Sequence, residues 1–220
     1  MTGIGSRIAF VTIEPAPTVF VVDDDPEVRE SLRRLVASVG LAIESYSTAQ
    51  DFLDNLDAAR SGCVIADIRM PGLSGLDLQE KLAELDSLLP VIILTGYAEV
   101  PTAVRAMKQG AFDFIEKPYS SQRVLDAVRQ ALESNRQAVE GHEECARTAR
   151  LLATLTPRER EVMNLVVAGK PNRVIAAHLG LQQKTVEFHR ASVMKKIGAD
   201  SVADLIRLAL RLEPSPRNSR

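Results

Sequence analysis

Cys63-Val64-Ile65-Ala66-Asp67-Ile68-Arg69-Met70-Pro71-Gly72 is the stretch on which the reading of this chain turns. Four small or apolar residues suit a strand buried on both faces, and a lone carboxylate follows where such a strand should end. Met70-Pro71-Gly72 then turns the chain, because proline fixes φ and glycine tolerates positive φ. A carboxylate at the carboxyl end of a buried parallel strand lies at the rim where open α/β sheets bind ligands. Taken alone, Asp67 would be read as the cap of the next helix. Its company decides otherwise.

On both sides of that stretch, strands alternate with helices. Val19–Val22 ends at Asp23-Asp24-Asp25, and helical spacing follows at Val28, Leu32, Leu35, Val36 and Val39, stopped by Gly40. Ala42–Tyr46 alternates as a strand, and Thr48–Leu56 reads as a helix. The strand ahead of Asp67 is the third, with Leu76–Leu85 as its helix. Pro90–Leu94 is the fourth, ending at Thr95-Gly96, and Pro101–Lys108 is helical. Phe112–Ile115 is the fifth, running out near Lys117-Pro118, and 122–133 is its helix. Such alternation predicts an α/β fold, a doubly wound five-stranded parallel sheet covered by helices on both faces.

In a parallel sheet all carboxyl ends share one edge, so Asp23, Asp24, Asp67, Thr95 and Lys117 are expected to meet there. Asp25 precedes Pro26 and fits an N-cap with proline at the first helical position, leaving Asp23 and Asp24 to face Asp67. Three carboxylates without a cation would repel one another, and Mg²⁺ suits a small oxygen site of this kind. Asp67 can then act as a carboxylate nucleophile on a phosphoryl group, with Thr95 and Lys117 binding the transferred oxygens. Singly, Thr95 reads as a turn residue and Lys117 as a solvated charge. Convergence from separate strands favours the phosphoryl site.

Composition sets the outer bounds. The chain has 220 residues, 45% of them hydrophobic, a formal net charge of −2 and no Trp. No apolar run reaches the roughly 18–20 residues that span a bilayer, so cytoplasmic residence without membrane contact is expected. Residues 1–17, with Pro15 and Pro17, read as a leader, although Ile8–Ile13 has strand composition. Cys63 and Cys145 fall in a strand and a linker and suggest no disulfide framework. Charge divides unevenly: 12 Lys and Arg stand against 20 Asp and Glu in residues 1–134, and 15 against 9 in residues 135–220. An acidic half joined to a basic half points to two modules, the second a candidate for nucleic acid.

That second half is helical by pattern. Residues 134–149 are polar and read either as an extension of the preceding helix or as a flexible tether. Thr156 as N-cap, Pro157 at the first position and Glu159 at the third begin a helix whose stripe is Val162, Leu165 and Val166. Arg173–His178, stopped by Gly180, and Gln183–Ile197, stopped by Gly198, form two helices around a turn, and Val202–Leu212 makes a fourth. This basic all-α four-helix unit suggests a helix-turn-helix with its third helix in the major groove. Val186, Val193 and Ile197 would face its core. Lys184, Thr185, Glu187, Phe188, Arg190 and Ala191 would face DNA, with Lys195 and Lys196 near the backbone and Asn172 and Arg173 as phosphate contacts. The bland alternative is a basic, solvated helix packed on the first half.

Val-Val-Asp-Asp-Asp, Asp-Ile-Arg-Met-Pro-Gly-Leu-Ser-Gly, Leu-Thr-Gly-Tyr-Ala and Phe-Asp-Phe-Ile-Glu-Lys-Pro together resemble the receiver domain of bacterial two-component response regulators. Leu-Thr-Pro-Arg-Glu-Arg-Glu-Val, Asn-Arg-Val-Ile-Ala-Ala-His-Leu-Gly and Lys-Thr-Val-Glu-Phe-His-Arg resemble the LuxR-type DNA-binding domain, so the chain looks like the FixJ branch of the FixJ/NarL regulators. The resemblance implies a flavodoxin-like strand order 2-1-3-4-5 and Asp67 as phosphoacceptor. It further implies Mg²⁺ bound directly by Asp24, Asp67 and the carbonyl of Arg69, and through water by Asp23. Thr95 and Phe114 become switch residues, and Lys117-Pro118 stands where the family usually has a cis bond. Domains would run 1–17 (leader), 18–134 (receiver), 135–150 (linker), 151–214 (helix-turn-helix) and 215–220 (tail).

Implied partners are a sensor histidine kinase, double-stranded promoter DNA, RNA polymerase and a second copy of the chain. Homodimerisation would follow phosphorylation, with Val202, Leu205 and Ala209 pairing DNA-bound protomers; alternatively that stripe only closes its own bundle. Pro171 departs from the family pattern, where a small polar cap is common, and Phe188 and Ala191 stand on the exposed reading face. A Mg²⁺-dependent phosphohydrolase is the rival enzyme reading, but such enzymes need a second Asp two positions on, and Arg69 is there. Gly169-Lys170-Pro171 is not a P-loop. The expected function is a phosphorylation-activated transcription factor, not a turnover enzyme.

Overall fold

A computed structural model describes residues 16–57, 59–96 and 100–210. The expectations placed on Ile8–Ile13, on Tyr97-Ala98 and on residues 211–220 fall outside these described residues. The elements are β1 (Thr18–Val22), α1 (Pro26–Ala37), β2 (Ala42–Tyr46), α2 (Ala49–Asp54), β3 (Gly62–Asp67), α3 (Gly75–Glu84), β4 (Val91–Thr95), α4 (Val100–Lys108) and β5 (Asp113–Glu116). They continue with α5 (Ser121–Ala153), α6 (Pro157–Val167), α7 (Asn172–Leu179), α8 (Gln183–Ile197) and α9 (Val202–Leu210). The chain divides into two compact units, residues 1–139 and 140–220.

The first unit is built on one five-stranded, all-parallel sheet of order β2-β1-β3-β4-β5. Every residue of β1, β3 and β4 is buried. Their side chains alternate between two cores, as the two-residue period of a strand requires. Phe20, Val22, Val64, Ala66, Val91 and Ile93 pack on one face with Phe52, Leu78 and Ala106. Val19, Val21, Cys63, Ile65, Ile92 and Leu94 pack on the other with Leu32, Val36 and Val128. A strand covered on both sides gains by being apolar throughout, which is why these runs show no polar alternation. The order reverses direction between β1 and β3, the place where sheets of this type open a crevice at their carboxyl ends.

Local signals set the helix ends. The Asp25 carboxylate accepts a hydrogen bond from the Glu27 N–H at 2.8 Å, with Pro26 opening α1. Ser74 and Asp77 form a reciprocal capping box at α3, and Thr156 and Glu159 form another at α6. The second unit packs α6–α9 around Val162, Val166, Ile175, Val186, Val193, Ile197 and Leu205. Gly180, at φ +65°, closes α7 in the left-handed conformation that turns the chain into α8. Among the described residues, no helix is long and apolar enough to cross a membrane.

Residues 134–149 are helical, part of the uninterrupted α5. Asn135, which composition assigned to the linker, is buried. Its side-chain carbonyl accepts the Gly62 N–H at 2.8 Å, and its amide donates to the Leu88 carbonyl at 2.8 Å. α5 is thereby fastened to the start of β3 and to the segment before β4. Replacing Asn135 with Ala should lower the stability of the first unit by about 1–3 kcal/mol, the usual cost of leaving a buried partner unsatisfied. Tyr46, Tyr97 and Tyr119 all lie before residue 139 and the chain has no Trp. Urea unfolding followed by tyrosine fluorescence therefore reports that unit, and an unchanged midpoint would show the bond to be dispensable.

Candidate functional site

Two carboxylates and one ammonium meet at the carboxyl edge of the sheet. Asp23 follows β1 and is 2% exposed; Asp67 ends β3 and is 8% exposed. The Lys117 ammonium, from just beyond β5, donates to Asp23 Oδ2 and to Asp67 Oδ1, each at 2.8 Å. The remaining carboxylate oxygens are also used. Asp25 N–H donates to Asp23 Oδ1 at 2.9 Å, and Arg69 N–H donates to Asp67 Oδ2 at 2.6 Å. Burial raises the Asp23 carboxyl above its ordinary value, and the bonds from Lys117 and Asp25 offset only part of that cost. Burial also opposes the Lys117 ammonium, but the two carboxylates outweigh it and raise its pKa.

Neighbouring backbone fixes this arrangement. Thr95 is buried at the end of β4, and its carbonyl accepts the Lys117 N–H at 2.7 Å. The Lys117-Pro118 bond is cis. Gly75, at the start of α3, has no room for a side chain: a Cβ there would lie 2.3 Å from the Asp67 carbonyl oxygen. Phe114 on β5 is half-buried against the core that contains Phe20 and Ile93. Arg29 on α1, which the sequence reading passed over, donates from Nη1 to the Asp23 carbonyl at 2.6 Å. Its only signal in sequence was its place one helical turn beyond the Asp25 cap.

Of the two carboxylates expected to face Asp67, Asp23 is buried and joined to it through Lys117, while Asp24, just beyond the strand, is exposed. Among the described residues, no three His, Cys, Asp or Glu side chains are grouped closely enough to hold a metal ion. The donor set is nevertheless all oxygen, and Asp23 is a buried carboxylate that its ammonium does not fully compensate. Both features fit a hard divalent cation.

In the second unit, α8 separates two faces. Val186, Val193 and Ile197 are buried, whereas Lys184, Glu187, Phe188, Ala191 and Lys195 are exposed. Thr185 and Arg190 are half-buried, and Arg190 Nη1 donates to Asn172 Oδ1 at 2.5 Å, tying α8 to α7. Arg173 is exposed. The side chains preceding α7 and α8, Pro171 and Gln182, make no cap hydrogen bond. Lys196, read as lying near the DNA backbone, is instead bonded to Glu159 at 2.7 Å. Leu205, read as a dimer contact, is 2% exposed inside its own bundle; Val202 is exposed and Ala209 half-buried. Burying an apolar side chain in its own core is worth more than an intermittent contact, so the stripe is divided rather than shared.

The family described as "Response regulator receiver domain" matches residues 19–129, and that described as "Bacterial regulatory proteins, luxR family" matches residues 153–209. Nodulation protein W of Bradyrhizobium diazoefficiens is 46% identical over 191 residues, covering 87% of this chain and 84% of that protein. Transcriptional regulatory protein FixJ of Azorhizobium caulinodans is 44% identical over 200 residues, covering 90% and 94%. The solved structure of response regulator StyR aligns with TM-score 0.80 at 40% identity, covering 90% of this chain and all of that one.

Glu159 is the centre of the second unit's polar network. It accepts from Lys196, from the Ser192 hydroxyl at 2.6 Å and from the Thr156 N–H at 2.8 Å. Lys196, then Ser192 and Thr156, hold its carboxyl down to about 2. Because the folded-state value lies below the unfolded one, its contribution is complete above pH about 4.5 and is lost as the pH falls towards 2. Glu159→Gln should therefore melt below wild type at pH 7, with the gap closing by pH 2. Circular dichroism melts across that range measure it, and a gap independent of acid would locate the stabilisation elsewhere.

Proposed function

The chain belongs to the two-component response regulators of the FixJ/NarL type, a receiver with a LuxR-type DNA-binding domain that regulates transcription, and we propose that Asp67 is its phosphoacceptor. The observation that carries this is the Lys117 ammonium, bonded at 2.8 Å to both Asp23 and Asp67. A sensor histidine kinase presents a phosphoimidazole; an Asp67 carboxylate oxygen forms the new bond to phosphorus as the imidazole nitrogen leaves. Lys117, already at Asp67, binds a transferred oxygen, and the Thr95 hydroxyl takes another. Asp24, Asp67 and the Arg69 carbonyl, with Asp23 through water, would hold Mg²⁺, whose charge offsets that of the phosphoryl oxygens. Arg29 fixes the planar peptide between Asp23 and Asp24, and so the direction in which Asp24 leaves the strand.

The receiver, residues 18–134, then changes its outer face. Drawing Thr95 towards the phosphoryl group makes room for Phe114 to turn inward, beside α4. Val100, Val104 and Met107 leave an apolar α4 surface exposed, which supports dimerisation there on phosphorylation. In the DNA module, residues 151–214, Lys184 and Lys195 grip the backbone from α8 and Arg173 from α7, with Thr185, Glu187 and Phe188 at base edges. The Asn172–Arg190 pair holds the two helices at their reading angle and reaches phosphate from their junction. Val202 and Ala209 on α9 remain for contact between DNA-bound protomers. The product of the chain's chemistry is an altered promoter affinity rather than a released small molecule.

Two measurements test this reading. Incubation with acetyl phosphate and Mg²⁺ should label the wild-type chain and leave Asp67→Asn unlabelled; labelling of the variant at the wild-type rate would refute the acceptor assignment. Lys184→Ala should weaken promoter binding on all sequences alike and reduce the slope of log affinity against log salt by about 1. A slope equal to the wild type's would move the phosphate contact off α8.

A further inference from the structure

We infer that Phe188 reads the C5-methyl group of a thymine in the major groove, so that each half-site carries one thymine at a fixed place. This rests on α8 being the helix that reads DNA. Phe188 is 71% exposed, so no core accounts for it. It lies on the stripe Lys184, Phe188, Ala191, Lys195, spaced by four, three and four residues, which is one face of a helix. Val186, Val193 and Ile197 lie on the opposite face and are buried. Phe188 is thus central on the outward face, with an ammonium one turn before it and another two turns beyond.

The neighbours of the ring narrow what it meets. The His189 ring lies edge-on to it, centroids 6.0 Å apart at 67°. Ala191, one turn on, is too small to shield it. Flanking ammonium groups suit an anionic partner, and the centre of their stripe is apolar. Base edges in the major groove offer donors, acceptors and one apolar group, the thymine methyl. An aromatic ring between two lysines matches that group and no other on the base edges.

The test uses the full chain with acetyl phosphate and Mg²⁺ to select a duplex from a randomised pool. Each thymine of that duplex is then replaced in turn by deoxyuridine, which removes only the methyl. At one thymine per half-site the wild type should bind about fourfold more weakly, the effect of one buried methyl. Phe188→Ala should bind the thymine and uracil duplexes equally, and Phe188→Leu should keep part of the preference; circular dichroism melts check that both remain folded. Silent replacement at every thymine, or an equal loss in wild type and Phe188→Ala, would overturn the inference and leave the DNA-reading role of α8 intact. Failure of the wild type to select any duplex would remove that role, and the thymine contact with it.

Discussion

One ammonium lodged between carboxylates from different strands is the constraint on which the first unit depends. Lys117 comes from beyond β5, Asp23 from beyond β1 and Asp67 from β3, and no two are close in sequence. A parallel sheet whose strands all end at one edge assembles them. Asp23 and Asp67 would repel if left alone, and a half-buried lysine would lose hydration without anions to replace it. Each group therefore makes the others tolerable, and the sheet order makes the meeting possible. The apolar strands beneath hold the three in place because both faces are already filled.

The second unit contains a related motif with the opposite electrostatic balance. Glu159 also binds a lysine, Lys196, but adds a serine hydroxyl and the N–H of a helix cap, and its carboxyl is held down to about 2. Asp23 binds a lysine and one N–H, yet burial raises its carboxyl. The first arrangement is saturated and structural: every bond favours the charged form. The second keeps an uncompensated cost, a pattern common at functional sites. Two lysine–carboxylate pairs in one chain thus differ in kind through their surroundings.

Much of this was legible in the sequence. The five strands, the buried character of β1, β3 and β4 and the rim residues Asp67, Thr95 and Lys117 follow from strand-length runs that end at polar residues, because strand period and chain direction leave few alternatives. Caps at Asp25 and Thr156 obey local rules and need no tertiary knowledge. What was hidden depends on pairing across long separations. Nothing near Asn135 marks it as a partner of Gly62, 73 positions away, so its polar neighbourhood read as linker. Lys196 looked like a phosphate contact because its charge is visible in sequence and its partner, Glu159, 37 positions earlier, is not. Leu205 and Val202 share a stripe, and only packing separates them. Adjacency in sequence puts Asp23 and Asp24 at one rim but does not reveal that Asp23 is buried under Lys117 while Asp24 is exposed.

Asn135 also bears on where the chain can be divided. A fragment ended at the change in composition, after Ser134, would keep all five strands and discard the residue that fastens the last helix to the opposite end of the sheet. The carboxyl edge would be whole while the floor beneath it came loose. A freestanding receiver half must therefore extend past that asparagine, and comparisons between isolated halves and the intact chain are meaningful only when it is retained.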